Sequence, residues 1–420
     1  MQPLTVSIAF VAALLARQAL KFWLAGRQAR HVHAHRGAVP QPFDSSIPLA
    51  AHQRAADYTQ ARLRFSLVTD SLGAALLLGW TLLGGLDLLN GVVRDVVQPA
   101  FGNMAYQLAL LAAFSLISGL IDLPQEWVRV FRLEQRFGFN RTTLALFVTD
   151  LLKGAVVAAV IGLPLLAAVL WLMQAAGSLW WLWAWALWVG FVLLMQVIFP
   201  TWIAPLFNRF EPLADESLAG RVQALMVRCG FRASGVFVMD GSRRSSHGNA
   251  YFGGMGRAKR VVLFDTLLSR LQAGEVEAVL AHELGHFHHK HVLSMTLRGF
   301  ALGLAGFALL GWLSGQPAFY LGLGVNPNLA APNDAIALLL FILAAPAFTF
   351  FVSPVSAWWS RRAEFEADAY ARAQTSGSDL ASALLKLHED NAGTLTPDPL
   401  YARFYYSHPP ASERLAALAR

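Results

Sequence analysis

Apolar stretches long enough to cross a lipid bilayer recur along this chain and constrain its fold more than any other feature. A transmembrane helix needs about 20 consecutive, mostly apolar residues. Seven stretches meet this requirement, at 4–24, 66–89, 104–122, 154–175, 178–199, 293–314 and 335–356. The composition agrees, because 56% of the 420 residues are hydrophobic and only 14% are charged, which is well below the share in soluble domains. The sequence therefore predicts an α-helical polytopic membrane protein with seven transmembrane helices.

The connecting segments alternate in basic charge. Residues 25–64 carry six arginines and residues 123–153 are also basic. By contrast, the predicted loop 90–103 carries only Arg94, matched by Asp95, and 176–177 and 315–334 carry neither Lys nor Arg. Short cytoplasmic loops are enriched in Lys and Arg, so this alternation predicts that the N-terminus lies outside and the C-terminus in the cytoplasm. Most Lys and Arg residues lie in discrete loops and polar segments between the spans, and we therefore expect a lipid bilayer rather than nucleic acid as the partner of this chain of net charge +7.

The predicted spans divide the chain into four parts. Five spans occupy 1–199, a polar segment occupies 200–292, two further spans lie in 293–356, and a second polar segment occupies 357–420. The first polar segment is predicted to contain a helix over 213–231, strands over 235–240 and 260–265, and a helix over 273–291. The second is predicted to be mostly helical. The single cysteine excludes an internal disulfide and a cysteine-based zinc cage.

The last helix of the first polar segment contains the motif His-Glu-x-x-His at His282, Glu283 and His286. Residues four apart share one face of a helix, so the two imidazoles can bind one tetrahedral zinc ion. Glu283 points about 100° away on the helix and is placed to take a proton from zinc-bound water. The absence of a side chain at Gly285 leaves space beside this face. The motif predicts a metallopeptidase site.

A third ligand is expected in the segment SRRAEFEADAYA, where Glu364 and Asp368 are four residues apart. Glu364 can complete a His-His-Glu site that leaves one position for water. Asp368 can accept a hydrogen bond from a ligand histidine and fix its tautomer. The alternative is a solvated acidic face paired with neighbouring arginines. Glu366 lies off this face and is expected to be exposed.

Seven further histidines divide into three groups. His408 precedes two prolines in YYSHPP, and a histidine held rigidly there can donate a hydrogen bond to an oxyanion. His288, His289 and His291 are predicted to be solvated or interfacial. The cluster His31, His33 and His35 is read as a feature of loop composition.

Taken together, seven stretches of this sequence resemble the type I CAAX prenyl proteases, which are seven-span integral-membrane zinc metalloproteases. The stretches occur in the family's order and are LPQEWVRVFRLEQRFGFNRTT, WIAPLFNRFEPL, DGSRRSSHGNAYFGG, VVLFDTLL, EVEAVLAHELGHFHHKH, SRRAEFEADAYA and YYSHPPASERL. The short Arg-rich and Ala-rich loops are typical of a bacterial member, and we therefore expect the cell inner membrane as its location.

The resemblance implies a role for each matching residue. It assigns zinc binding to His282, His286 and Glu364, proton transfer to Glu283, support of the ligands to Asp368, and stabilisation of the tetrahedral intermediate to His408. It also implies that a strand formed by Asn249, Ala250, Tyr251 and Phe252 pairs with the substrate backbone, as an exposed sheet edge can do. The family's helices enclose a large chamber within the membrane, with the zinc site facing inward near the cytoplasmic side.

The sequence thus predicts a monomeric zinc endopeptidase with one Zn²⁺ per chain, acting on extended peptides or membrane proteins. Two alternatives remain open. The first is a membrane-protein quality-control metalloprotease. The second is a zinc transporter, which requires ionisable residues within several spans. The candidates for that role are Asp70, Asp150, Lys153 and Arg298.

Overall fold

The computed structural model describes residues 2–231, 235–253, 260–328 and 332–419. Long helices dominate the N-terminal half, as the apolar stretches predict. They are α1 (Pro3–Ala34), α2 (Leu49–Trp80), α3 (Gly85–Val128), α4 (Leu144–Ala175), α5 (Trp180–Ile198) and the short α6 (Ala204–Phe207). Two π-helical segments continue them, Arg129–Glu134 after α3 and Phe199–Ile203 between α5 and α6.

A small four-stranded sheet follows the N-terminal helices. In chain order the elements are β1 (Phe210–Pro212), α7 (Glu216–Arg228), β2 (Val236–Met239), β3 (Ala250–Gly253) and β4 (Arg260–Phe264). The sheet order is β1-β2-β4-β3, with β2 and β4 parallel and the other pairs antiparallel. The two predicted strands are confirmed as β2 and β4, and β3 lies at one edge of the sheet.

The C-terminal half returns to helices, two of which enter the membrane region. They are α8 (Asp265–Leu268), α9 (Ala273–His288), α10 (His291–Ser314), α11 (Pro317–Gly322), α12 (Asp334–Thr349), α13 (Ser353–Gln374), α14 (Gly377–Asp390), α15 (Pro399–Tyr405) and α16 (Ala411–Leu418). The predicted helix over 273–291 is confirmed as α9, which ends three residues earlier.

Six helical segments of the described chain are long and apolar enough to cross a membrane. They are Pro3–Ala34, Gly85–Glu134, Leu144–Ala175, Gly177–Phe207, His291–Ser314 and Asp334–Gln374. The predicted count of seven is not confirmed, because the stretch 66–89 does not form one helix. Its helix, α2, ends at Trp80, and a turn at 81–84 separates it from α3. The first half of α2 is also polar, which lowers its hydropathy.

The predicted loop over 90–103 is helical in the structure, and this prediction was wrong. Helix α3 begins at Gly85 and its path breaks at Gly102, where φ is 80° and ψ is −179°. Only glycine adopts such a conformation readily, so Gly102 separates a helical first part from the apolar stretch that starts at 104. The charged pair Arg94 and Asp95 therefore lies on a helix rather than in a loop.

A second hydrophobic core, distinct from that of the membrane helices, holds the sheet against α9. It contains buried side chains from α7, β4, α9 and α14, among them Val222, Leu263, Leu280 and Leu380. Glu275 fixes the start of α9 to α14. Its carboxylate accepts hydrogen bonds from the backbone N–H of Gln272 at 2.7 Å and from the hydroxyl of Ser382 at 2.6 Å. This core therefore sets the position of α9 relative to the sheet.

Helices α9 and α13 approach each other closely at Gly285. A Cβ atom at this position would lie 2.9 Å from Cα of Ala367 and 3.1 Å from its carbonyl oxygen. Any side chain at 285 would therefore collide with the backbone of α13. The glycine of the His-Glu-x-x-His segment is needed for helix packing, and the close approach brings the acidic residues of α13 to the histidines of α9.

Candidate metal centre

Three side chains from two helices converge on one point. His282 and His286 lie one turn apart on α9, with their Nε2 atoms 3.3 Å apart. Glu364 of α13 places its Oε2 atom 3.4 Å from Nε2 of His282 and its Oε1 atom 3.3 Å from Nε2 of His286. The three ligand atoms all lie within 4.8 Å of one another. The structure thus brings together residues from positions that are far apart in the sequence.

The chemistry of this group fits a divalent metal ion. Glu364 is only 4% exposed, and its Oε2 atom is buried without a hydrogen-bond partner. A buried polar atom without a partner is costly, and a cation between the three side chains would remove that cost. Two imidazole nitrogens and one carboxylate oxygen also form a donor set found in catalytic zinc sites.

A buried ion pair supports His282 from behind. The Oδ1 atom of Asp368 lies 2.7 Å from Nδ1 of His282, and Arg414 of α16 donates to both oxygens of Asp368 at 2.6 and 2.8 Å. Burial opposes a charge on His282, but the neighbouring carboxylates of Asp368 and Glu364 outweigh it and raise the pKa of the imidazole to about 9. Because Nδ1 faces Asp368, Nε2 is the nitrogen directed to the centre.

Arg414 was not singled out in the sequence, although it lies within the matching stretch YYSHPPASERL. It is 8% exposed, and one of its nitrogens lies 3.5 Å from Oε2 of Glu364. The signal was available, since ASERLAAL places one cation among apolar residues of a short helix. A cation on an otherwise apolar helix face requires a buried anion, which here is Asp368.

His286 is also supported by neighbouring side chains, through two successive contacts. Nδ1 of His286 lies 3.1 Å from Nδ1 of His291, and Nε2 of His291 lies 3.0 Å from a carboxylate oxygen of Glu366. The prediction that His291 is solvated or interfacial was therefore wrong, as was the prediction that Glu366 is merely exposed. His288 and His289 are exposed, as predicted.

Glu283 lines a cavity of about 330 Å³ together with His282 and Glu364, two of the three converging residues. Burial raises the pKa of its carboxyl group, although the neighbouring His282 and His286 act in the opposite direction. A carboxylate with a raised pKa accepts a proton more readily, which suits a general base near neutral pH. The cavity thus combines a candidate metal centre and a candidate base.

His408 also lines this cavity. Its Nε2 atom is 3.4 Å from Oε1 of Glu364, and its Nδ1 atom is 3.0 Å from the hydroxyl of Ser407. Its side chain is 64% exposed, so the imidazole borders open space where a substrate could bind. The two prolines that follow it lead directly into α16.

The segment Asn249 to Phe252 divides between the cavity and the sheet. Asn249 and Ala250 line the cavity, and β3 begins at Ala250, one residue later than predicted. The ring of Tyr251 faces Phe264, with ring centroids 6.3 Å apart. The ring of Phe252 packs into an aromatic cluster with Phe231 and Phe287. The edge of the sheet therefore starts at the cavity wall.

The residues that a zinc transporter would need are engaged in local contacts. The pairs are Asp70 with Lys21, Asp150 with Arg244, Lys153 with the carbonyl oxygen of Leu206, and Arg298 with the ring of Trp359. Among the described residues these are local pairs, and such contacts give the transporter alternative no support.

Comparison with known proteins agrees with this geometry. Residues 28–209 match the family described as CAAX prenyl protease N-terminal, five membrane helices, and residues 212–420 match peptidase family M48. CAAX prenyl protease 1 of Saccharomyces cerevisiae is 33% identical over 404 residues, which cover 90% of this chain and 88% of the yeast protein. This chain belongs to the CAAX prenyl protease family. The human CAAX prenyl protease 1 homolog is 30% identical and covers 97% of this chain and 95% of its own length.

A solved structure of the family has the same fold. The crystal structure of S. mikatae Ste24p superimposes with a TM-score of 0.91 at 30% identity and covers 98% of both chains. The predicted family, the polytopic helical fold and the metalloendopeptidase activity are thereby confirmed. The chain is a multi-pass membrane metalloendopeptidase of the CAAX prenyl protease family. The relatives named here are eukaryotic, and a bacterial origin stays a prediction.

Proposed function

We propose that this CAAX prenyl protease uses one zinc ion per chain, held by His282, His286 and Glu364. The observation that carries the proposal is the convergence of these ligand atoms within 4.8 Å around a buried carboxylate oxygen without a hydrogen-bond partner. When bound, zinc supplies Lewis acidity, which polarises a carbonyl group and makes water more acidic. The chain's own residues carry out the remaining steps.

Glu283 acts as the general base in this proposal. It takes a proton from the attacking water and delivers it to the nitrogen of the leaving amine, so that the peptide C–N bond breaks and no net proton is consumed. His408 donates a hydrogen bond to the oxygen of the scissile carbonyl as negative charge develops there. Asp368 and Arg414 hold His282 in the orientation that its role requires.

The substrate is an extended peptide or a membrane-protein segment. Asn249, Ala250, Tyr251 and Phe252 support this proposal, because they lead from the cavity into an edge strand that pairs only with β4 among the described residues. An edge strand offers unpaired backbone groups to an added strand. In this proposal the protein is a monomer in a bacterial inner membrane, with its N-terminus outside and its active site on the cytoplasmic side.

Substitution of Glu283 by Gln tests the assignment of the base. We expect purified Glu283→Gln protein to retain zinc in elemental analysis and to lose cleavage of a reporter peptide by at least a hundredfold, the lower range for a general base. Glu277→Gln on the same helix is the matched control, since Glu277 pairs with surface arginines. Wild-type cleavage by the Glu283→Gln variant would contradict the assignment.

The same variant can identify substrates. Expressed in cells, an inactive Glu283→Gln protein that still binds substrate is expected to retain bound polypeptides that mass spectrometry can identify. Recovery of short, defined C-terminal segments supports a processing peptidase. Recovery of diverse unfolded membrane proteins instead supports a quality-control role for the same site.

A further inference from the structure

A second cavity, separate from the metal centre, lies between α1 and α2. Its volume is about 700 Å³ and its lining is strongly basic. Arg30, Arg36, Arg64 and Arg136 line it together with His33, and Asp57 is the acidic residue of the lining. Four guanidinium charges less one carboxylate leave a net charge of +3 with the histidine neutral. This group of residues is called the arginine cavity below.

Most of the positive charge in the arginine cavity is not neutralised by protein. Both oxygens of Asp57 accept hydrogen bonds from Arg36 at 2.8 Å, so this carboxylate is already paired. Arg30, Arg64 and Arg136 are exposed, and the described part of the chain gives them no ion pair. Three guanidinium groups, each able to donate two parallel hydrogen bonds to an anion, therefore border one space.

The space between the two helices is preformed. Ala29, Ala56 and Ala61 also line it, and their short side chains leave room between the helices. The side-chain amide of Gln60 donates a hydrogen bond to the carbonyl oxygen of Ala29 at 2.6 Å and ties α2 to α1. The arginines thus border a space between two helices that a hydrogen bond holds together.

The arginine cavity lies where three apolar segments end. Arg30 follows the apolar part of α1, Arg64 directly precedes the apolar part of α2, and Arg136 lies two residues beyond the candidate span Gly85–Glu134. Trp23 of α1 is 50% exposed, as expected for an aromatic side chain at a membrane interface. Seven residues of helix separate Trp23 from Arg30, or roughly 10 Å, a distance that the long arginine side chain can span toward the headgroup layer.

We propose that the arginine cavity binds the phosphate headgroup of an acidic phospholipid. A guanidinium group can donate two parallel hydrogen bonds to the oxygens of one phosphate group. Basic pockets between membrane helices bind anionic lipid headgroups. A soluble phosphate ion shares this chemistry. The lipid is the favoured source, because the cavity lies at the ends of three apolar segments, two helical turns along α1 from the exposed Trp23.

Lipid retention by the intact protein tests this proposal. The full chain is placed in nanodiscs of phosphatidylcholine mixed equally with phosphatidylglycerol, transferred to neutral detergent, and analysed by native mass spectrometry. We expect the wild type to retain phosphatidylglycerol and the R30Q/R64Q/R136Q variant to retain at least tenfold less, since each cation near an anionic surface contributes roughly fivefold in binding. Equal retention by the variant overturns the proposal.

The matched control is R209Q/R243Q/R403Q, which removes the same charge from three exposed arginines without an ion pair among the described residues. We expect this control to retain phosphatidylglycerol like the wild type. An equal loss in the control shows an effect of net charge alone and overturns the specific site. Should the triple glutamine variant fail to fold, R64Q alone is expected to lose roughly fivefold in retention, and unchanged retention by that variant contradicts the proposal.

The source of the phosphate is distinguished by thermal unfolding in neutral detergent. Phosphatidylglycerol is expected to raise the Tm of the wild type and the control but not of the arginine-cavity variant. Inorganic phosphate at the same concentration is expected to have a much smaller effect. If inorganic phosphate stabilises the wild type as strongly as the lipid does, the ligand is a soluble anion and the lipid proposal is overturned.

Discussion

The Nδ1 atoms of His286 and His291 lie 3.1 Å apart, and His291 in turn contacts Glu366 at 3.0 Å. If Nε2 of His286 binds the metal, its Nδ1–H donates to His291, whose Nε2–H donates to Glu366. Such a chain fixes the ring and raises its basicity as a ligand. Each ligand histidine therefore has its own carboxylate support, direct for His282 and through a second imidazole for His286.

Replacing His291 by Phe is expected to weaken zinc binding by about 10- to 100-fold, the range for loss of a group that supports a metal ligand. Zinc retention in competition with a graded chelator measures the effect. His288→Phe is the control, because His288 is exposed and its ring contacts Tyr370 and His289 rather than either converging histidine. Wild-type zinc affinity in His291→Phe would show that the contact has no role in metal binding.

Substitution of Gly285 by Ala is expected to push α13 away from α9. The new Cβ would meet the backbone of Ala367, which cannot rotate aside, and such overpacking costs about 1–3 kcal/mol. The variant should unfold at a lower Tm and bind zinc more weakly, since Glu364 moves with α13. Gly220→Ala on α7, where a Cβ meets open space, should leave zinc binding unchanged and should not lower Tm, because Ala favours a helix more than Gly does. Normal Tm and zinc content in Gly285→Ala would contradict the packing argument.

Replacing His408 by Phe is expected to lower kcat by about 100-fold with zinc retained, because an oxyanion loses one hydrogen-bond donor. KM should change far less than kcat, since the bond strengthens as charge develops. His289→Phe, which changes an exposed histidine, serves as control. An unchanged kcat would contradict the role of His408 as a hydrogen-bond donor to the oxyanion.

The activity should also report the raised pKa of Glu283. A general base acts only when it is deprotonated, and burial raises the pKa of this carboxyl above its ordinary value of 4.5. As pH falls, kcat/KM should therefore begin to decline above pH 4.5, before an exposed glutamate would be protonated. Zinc content measured at each pH separates this effect from loss of metal. A kcat/KM that stays constant through pH 4.5 would rule out a raised pKa.

The helical regions were predictable because they depend on local features. Six apolar stretches correspond to candidate spans, and the seventh failed because hydropathy does not detect the turn after Trp80. The loop predicted at 90–103 failed for a related reason. Charged residues such as Arg94 are compatible with a helix when they face solvent or the headgroups, so their presence does not end one.

The candidate site was predictable where the sequence spacing of two residues determines that they share one face of a helix. His282 and His286 share a face because of the helical period, and Glu364 could be named from a similar spacing with Asp368. The support of His286 by His291 was not predictable, because the chain leaves α9 at His288 and turns before His291 begins α10. The position of a side chain beyond such a turn depends on tertiary packing and not on period.

Arg414 is separated by 132 positions from the histidine beside which it lies. During translation the His-Glu-x-x-His helix therefore emerges first, the acidic helix next, and the arginine that neutralises Asp368 last. At roughly 5–20 residues per second, this delay is on the order of ten seconds. A nascent chain accordingly carries Asp368 without its arginine partner until the last few residues have been made, so the buried ion pair behind His282 can form only when synthesis is almost complete.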